Sequence, residues 1–199
     1  MWDQRYSSDH YVYGTAPNDF LKAQFEQIPA GGQVLCLAEG EGRNAVFLAE
    51  QGYKVTAIDL SEVGLNKALK LACDKGVAII THVSDLADYS LGEAQWDGIV
   101  SISAHMPPAV RQRIHAQVAP ALRPGGVMIL EAYTEQQLEM QGVGGPPASQ
   151  KDKFMSLETL RAELGELEEV VGVELQREMS EGELHHGPSA VVQYIGRKQ

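Results

Sequence analysis

Gly40 and Gly42, flanked by Glu39 and Glu41, directly follow an apolar run at 33–38; Asp59 closes a second run at 54–58, and Asp85 stands just past a third at 77–83. Glycines in such a turn let a ligand come close to the backbone. A carboxylate at the second position accepts hydrogen bonds from both hydroxyls of a ribose, and one at the third meets an adenine edge. Together the three describe an adenosine site. Each group also has a plainer use. The glycines serve any strand-to-helix turn, Asp59 can cap a helix, and Asp85 can cap its own turn.

The charges of the turn bear on which adenosine ligand is expected. Gly40-x-Gly42-x-x-Ala45 formally matches the dinucleotide fingerprint. A dinucleotide, however, sets a diphosphate on this turn, against the helix N-terminus. Each contact between that diphosphate and Glu39 or Glu41 costs about 3–4 kcal/mol before screening, at an effective dielectric near 20. S-adenosylmethionine (SAM) brings a sulfonium and an ammonium instead, which the same glutamates attract. Its carboxylate is expected at the helix N-terminus near Arg43 and Asn44.

The elements that must hold these groups alternate as βαβ units. Strands are expected at 33–38, 54–58, 77–83, 97–103 and 126–133. A helix over about 43–51 stops at Gly52. Another is capped by Ser61, runs to about Lys75 and ends at Gly76. Pro107 and Pro108 suit the first turn of a third, to about Leu122. Residues 141–150 read as a lid-like loop, and a helix capped by Ser156 covers about 156–165. Strands at 168–178 and 189–197 then follow with no helix between them, which predicts an antiparallel pair. The expectation is one α/β domain over 1–199, with a doubly wound, mostly parallel seven-stranded sheet and a C-terminal antiparallel hairpin. An N-terminal arm, 1–16, carries Trp2, Tyr6, Tyr11 and Tyr13.

Val34 to Asn44 (Val-Leu-Cys-Leu-Ala-Glu-Gly-Glu-Gly-Arg-Asn) resembles the first motif of class I SAM-dependent methyltransferases. Its Gly-Arg-Asn ending and Leu122-Arg-Pro-Gly-Gly126 look most like the tellurite-resistance branch of small-molecule methyltransferases. The resemblance spans about 30–135 and implies the Rossmann-like methyltransferase fold. It further implies that Asp59 holds the ribose and Asp85 the adenine amino group, that Leu60 and Leu86 sandwich the adenine, and that Gly40 and Gly42 face the methionine portion. Three departures stand out: the family's Asp is Cys36, its first Gly is Ala38, and Glu39 follows.

The expected cofactor set is therefore Glu39, Gly40, Glu41, Gly42, Arg43, Asn44, Asp59, Leu60, Asp85 and Leu86, with Ser101 near the fourth strand's end and Tyr13 in the arm. S-adenosylhomocysteine (SAH) is the expected product. His105, past the fourth strand, is a candidate general base or a plain loop histidine. His185 and His186 read as turn residues, and Arg111 and Arg113 as a solvated helix face.

Sixteen basic against 27 acidic side chains give a net charge of −11, which disfavours nucleic acid and anionic membranes as partners. No run approaches a membrane span. Two cysteines without framework spacing predict a reduced, cytoplasmic setting. No metal site is expected, since none of the six histidines has ligand spacing. The expected protein is a monomer or homodimer that methylates a small-molecule acceptor, a thiol or chalcogen oxyanion on the branch resemblance. Two rivals stay open: an NAD-binding oxidoreductase, and a non-catalytic SAM-binding regulator.

Overall fold

The structure, a computed structural model, describes residues 2–199; Met1, the first residue of the expected arm, lies outside them. Seven strands form one sheet: β1 (Gln33–Leu37), β2 (Lys54–Asp59), β3 (Ile80–Val83), β4 (Trp96–Ile102), β5 (Leu122–Tyr133), β6 (Glu168–Ser180) and β7 (His186–Arg197). Their order is β3-β2-β1-β4-β5-β7-β6. The first five are parallel, and β7 is antiparallel to both β5 and β6. This is the doubly wound sheet with a terminal hairpin that the run pattern predicts.

The central strands read as unbroken apolar runs because helices cover both faces. Leu35 and Leu37 face one core with Ile99, Ile114 and Leu130, while Val34 and Cys36 face the other with Ala45, Leu65 and Val100. Beneath the second face lie the helices α2 (Asp19–Gln24), α3 (Arg43–Glu50) and α4 (Glu62–Asp74); over the first lie α5 (Pro108–Ala121) and α6 (Leu157–Glu163). A short helix α1 (Trp2–Arg5) opens the arm. Ser61 caps α4 through the Gly64 N–H, and Ser156 caps α6 through the Thr159 N–H, as their positions predict.

Several boundaries differ from expectation. β3 begins only at Ile80, because this edge strand pairs with β2 alone and leaves Ile80 and Val83 exposed. β5 starts four residues early, since Leu122 pairs with Trp96 ahead of a bulge and Gly125 turns at φ +80°. β7 starts three residues early, at His186. Within 141–150, the Gly142 N–H donates to the Pro188 carbonyl, and Val143 bridges His186.

Arg111 is buried instead of solvated. Its guanidinium grips Glu163 of α6 with Nε and Nη2, and His115 Nδ1 lies 2.6 Å from the same carboxylate. Arg113 is spent on the carbonyls of Leu86 and Tyr89. Polar residues on α5 thus hold α6, a tertiary use that helix periodicity does not reveal. Among the described residues, no helix is long and apolar enough to cross a membrane.

Candidate functional site

Strand order reverses between β1 and β4, so a crevice opens beyond their carboxyl ends. Both strands leave the sheet through strained residues there: Ala38 at φ +49° and Ser103 at φ +55°. Such backbone clusters where a site over-determines it. Gly40 and Gly42 follow at φ +63° and +91°. A Cβ on Gly40 would stand 2.6 Å from the Tyr6 hydroxyl, and one on Gly42 would collide with Ala68 of α4. The turn therefore requires glycine at both places.

The acidic groups of the turn are held in ways their spacing does not show. Glu39 Oε1 accepts the N–H groups of Asn44 (3.0 Å) and Ala45 (2.8 Å), capping α3. Burial pushes its carboxyl up to about 7, against those two bonds and the Arg43 charge, which pull it down. Burial, and after it the nearby Glu39 carboxyl, push the Cys36 thiol up. Glu41 is buried in an ion pair with Lys67 and accepts the Val12 N–H at 2.8 Å, which ties the arm to α4. Asp59 Oδ2 accepts the Gly40 N–H and Oδ1 the Ser61 N–H, both at 2.8 Å. Burial raises its carboxyl too, opposed by those bonds. Asp59 therefore shapes the glycine turn from behind.

The remaining expected residues divide. Leu60 is exposed at the end of β2, while Leu86 packs into the core. Asp85 is exposed and caps its own turn through the Ala87 N–H. Tyr13 receives a bond from Arg5 Nη1 and lays its ring 4.5 Å from His185. Tyr6, not Tyr13, is the aromatic group on the turn: it is 5% exposed, between Gly40 and Gly64. Asn44 is absorbed by the Asn18 N–H.

His105 reaches the rim, yet both ring nitrogens are engaged. Nδ1 lies 3.1 Å from the Lys153 carbonyl, and Nε2 accepts the Tyr133 N–H at 3.2 Å. Burial lowers its pKa to about 4. In this arrangement His105 clamps the 148–153 turns to the end of β5.

A polar network across the crevice lies outside the expected set. Asn18, wholly buried, donates to Glu131 Oε1 (2.7 Å) and Glu181 Oε1 (2.8 Å). Arg177 bridges the same two carboxylates, and Arg43 Nη2 donates to Glu181 Oε2 at 2.6 Å. Burial would raise Glu181, but His185, Arg43 and Arg177 outweigh it and hold the carboxyl well below its ordinary range. Beside this network, Arg43 Nη1, Tyr133 Oη and His185 Nδ1 have no hydrogen-bond partner among the described residues, and neither does Ser101 Oγ on β4. The rings of Tyr133 and His185 are 5.2 Å apart, and Arg43 acts electrostatically on both. Buried polar atoms left without partners cost free energy, and His115 Nε2 on α5 is a further one. His185 lies on the turn between β6 and β7, as its sequence position predicts, with its ring against Tyr13 and Tyr133.

A recess of about 540 Å³ bordered by Phe25, Ile28, Tyr53 and Arg197 lies beside the amino ends of β1, β2 and β5, away from these groups.

A family model described as a methyltransferase domain matches residues 34–126, the segment from β1 into β5. A protein of Synechocystis sp. described as an uncharacterized methyltransferase is 35% identical over 117 residues, which cover 54% of this chain and 53% of that one. The chain thus matches about half the length of this curated relative. Among solved structures, TehB from Haemophilus influenzae superposes with a TM-score of 0.71 at 18% identity, covering 100% of this chain and 66% of that one. A SAM-dependent methyltransferase from Methanosarcina mazei gives 0.65 at 17% identity, over 88% and 96%. At these identities the likeness shows a shared fold.

Proposed function

We propose that this chain is a SAM-dependent methyltransferase acting on a small polar acceptor, with SAH as product. The methyltransferase-domain match, the crevice at the strand switch point and the groups around it support the reading. One observation carries the choice of ligand. The N-terminus of α3, where a dinucleotide would seat its diphosphate, is already capped by the Glu39 carboxylate. This replaces the simple attraction expected from the sequence, because Glu41 is spent on Lys67 and the arm. The exclusion of phosphate survives for a structural reason, and the NAD-binding alternative loses its anchor.

The residues present fit SAM. Gly40 and Gly42 keep the turn free of side chains, Asp59 fixes its shape at the ribose position, and Leu60 offers an exposed apolar face for the base. When bound, the cofactor supplies a sulfonium methyl group: the acceptor's lone pair forms the new bond to carbon while the C–S pair returns to sulfur. The chain's task is to orient the acceptor and keep water out. Tyr133 Oη, which has no partner among the described residues, and His185, whose Nδ1 lies 3.9 Å from Glu181 Oε2, are the groups that would bind it, and His185 is a candidate base beside Tyr133. A thiol or chalcogen oxyanion as acceptor rests on the branch resemblance. A cytoplasmic monomer or homodimer is the setting we propose.

Calorimetric titration with SAM, SAH and NADH tests the cofactor. Binding of SAM and SAH, with no heat from NADH, is expected; tight NADH binding without a response to SAM refutes the reading. A turnover screen against thiols, selenite, tellurite and amines, read as SAH release, tests the activity. SAM binding with no turnover on any acceptor would instead support a regulator.

A further inference from the structure

The N-terminal arm touches both banks of the crevice. On the α4 bank, the Ser61 hydroxyl donates to Asp3, and Tyr6 lies between Gly40 and Gly64. Lys67 of α4 donates to the carbonyls of Ser8 (3.0 Å) and His10 (2.6 Å) while paired with the buried Glu41, whose Oε2 accepts the Val12 N–H. On the opposite bank, the Glu183 N–H donates to the Val12 carbonyl at 2.9 Å, and a Cβ on Gly182 would stand 2.3 Å from the same oxygen. Tyr13 lays its ring against His185 there. Residues 2–14 thus span from the end of β2 to the β6–β7 turn. A ligand approaching the glycine turn over α4 meets Tyr6 first.

Polar bonds rather than a core hold this crossing. Of residues 2–14 only Tyr6 and Val12 are buried, and the four-residue α1 is too short to support itself. Arg5 Nη1 donates to Tyr13 Oη, so the two ends of the arm are tied to each other. Gly14 follows at φ +71°, and past it Asn18 is wholly buried and bonded to Glu131 and Glu181. A segment with few buried apolar contacts opens at low free energy, and one or two loop residues absorb the rotation. We propose that residues 2–14 form a strap that closes the cofactor crevice, swings about Gly14 to exchange SAM for SAH, and is latched by Lys67. The inference rests on the SAM reading above. Lys67 suits the task because its one ammonium joins α4, the glycine turn through Glu41, and the backbone of the arm.

Stopped-flow mixing with SAH, read by tryptophan fluorescence with Trp2 on the arm, gives both rate constants in wild type and Lys67→Met. A latch holds the strap shut with or without cofactor. Its loss should therefore raise association and dissociation together, each by about tenfold, the lower end for a lost charge-assisted bond, and leave Kd within about threefold. In the variant without SAH, the Val12 amide should exchange hydrogen about tenfold faster than in wild type. Dissociation that rises alone, and Kd with it, overturns the proposal, because Lys67 then supports a wall of the site and not a gate. Rates or a Val12 exchange unchanged in the folded variant overturn it too. Should Lys67→Met fail to fold because Glu41 is left unpaired, Lys67→Met with Glu41→Gln removes the buried charge, keeps an oxygen for the Val12 N–H and serves for the same measurements. A wild type that takes up no SAH refutes the SAM reading itself, and the proposal with it.

Discussion

Asp59→Asn separates the structural part of the glycine turn from its ligand chemistry. Each carboxylate oxygen accepts one backbone N–H at 2.8 Å, from Gly40 and from Ser61. An amide keeps one acceptor and turns its NH2 toward the other N–H. One charge-assisted bond is lost, two donors face each other, and the surviving bond becomes neutral. Hydrogen bonds to charged groups contribute about 1.5–3 kcal/mol, and a stranded buried donor costs about 1–3 kcal/mol. Relief of the buried charge, whose ionisation burial already disfavours, offsets part of this. The expected loss is about 2–3 kcal/mol, or roughly 5–10 °C in Tm for a chain of this length. Thermal unfolding followed by circular dichroism reads it directly. A Tm within about 1 °C of wild type would show that Asp59 does not hold the turn. In the folded variant, SAH affinity should also drop by about tenfold or more; unchanged affinity would remove Asp59 from the cofactor site.

Three further outcomes follow from groups already described. His105 has a folded pKa near 4 against 6.5, so its contribution is complete above pH 6.5 and declines as pH falls toward 4, by about 3 kcal/mol. His105→Asn keeps the donor to Lys153 and should remove that decline; an unaltered pH slope in urea unfolding would contradict the assignment. Glu39 has the opposite sign: its carboxyl is raised from 4.5 to about 7, so its contribution is greatest below pH 4.5 and is lost as pH rises through 7. Glu39→Gln, which keeps an oxygen for the Asn44 and Ala45 N–H groups, should gain stability over wild type as pH goes from 5 to 8, and a constant difference between the two would refute it. Ala38→Gly relieves a left-handed alanine at φ +49° and should be neutral or stabilising by up to about 1 kcal/mol; a loss above 1 kcal/mol would place the Ala38 methyl in a contact that matters more than the strain.

What was legible in the residues follows from how far each signal reaches. β1, β2 and β4 and the caps Ser61 and Ser156 depend on neighbours within one turn or one strand, so apolar runs and hydroxyl positions reveal them. The glycine turn was legible for the same reason. The Asn18–Glu131–Glu181–Arg177–Arg43 network was not, since its members are brought together only by the sheet, across as many as 163 positions. The sequence puts Glu39 at the right turn without revealing its cap on α3, because charge sign alone does not say whether a carboxylate faces a ligand or a helix end. His105 shows the converse. Its location past β4 is a fact of topology, while its two occupied nitrogens come from β5 and the 148–153 turns.

The hairpin order has a consequence for biosynthesis. β7, the last of the seven strands in chain order, inserts between β5 and β6, and Glu181 and His185 lie on the turn just before it. A chain emerging from the ribosome displays the glycine turn, Asp59 and the arm long before the partners of Asn18 and Arg43 exist. Until the β6–β7 turn has been made, the bonds of Asn18 and Arg43 to Glu181 cannot form, and the half-built crevice is expected to be an easy target for proteases. Pulse-chase proteolysis of stalled nascent chains should find resistance appearing abruptly once β7 has cleared the exit tunnel.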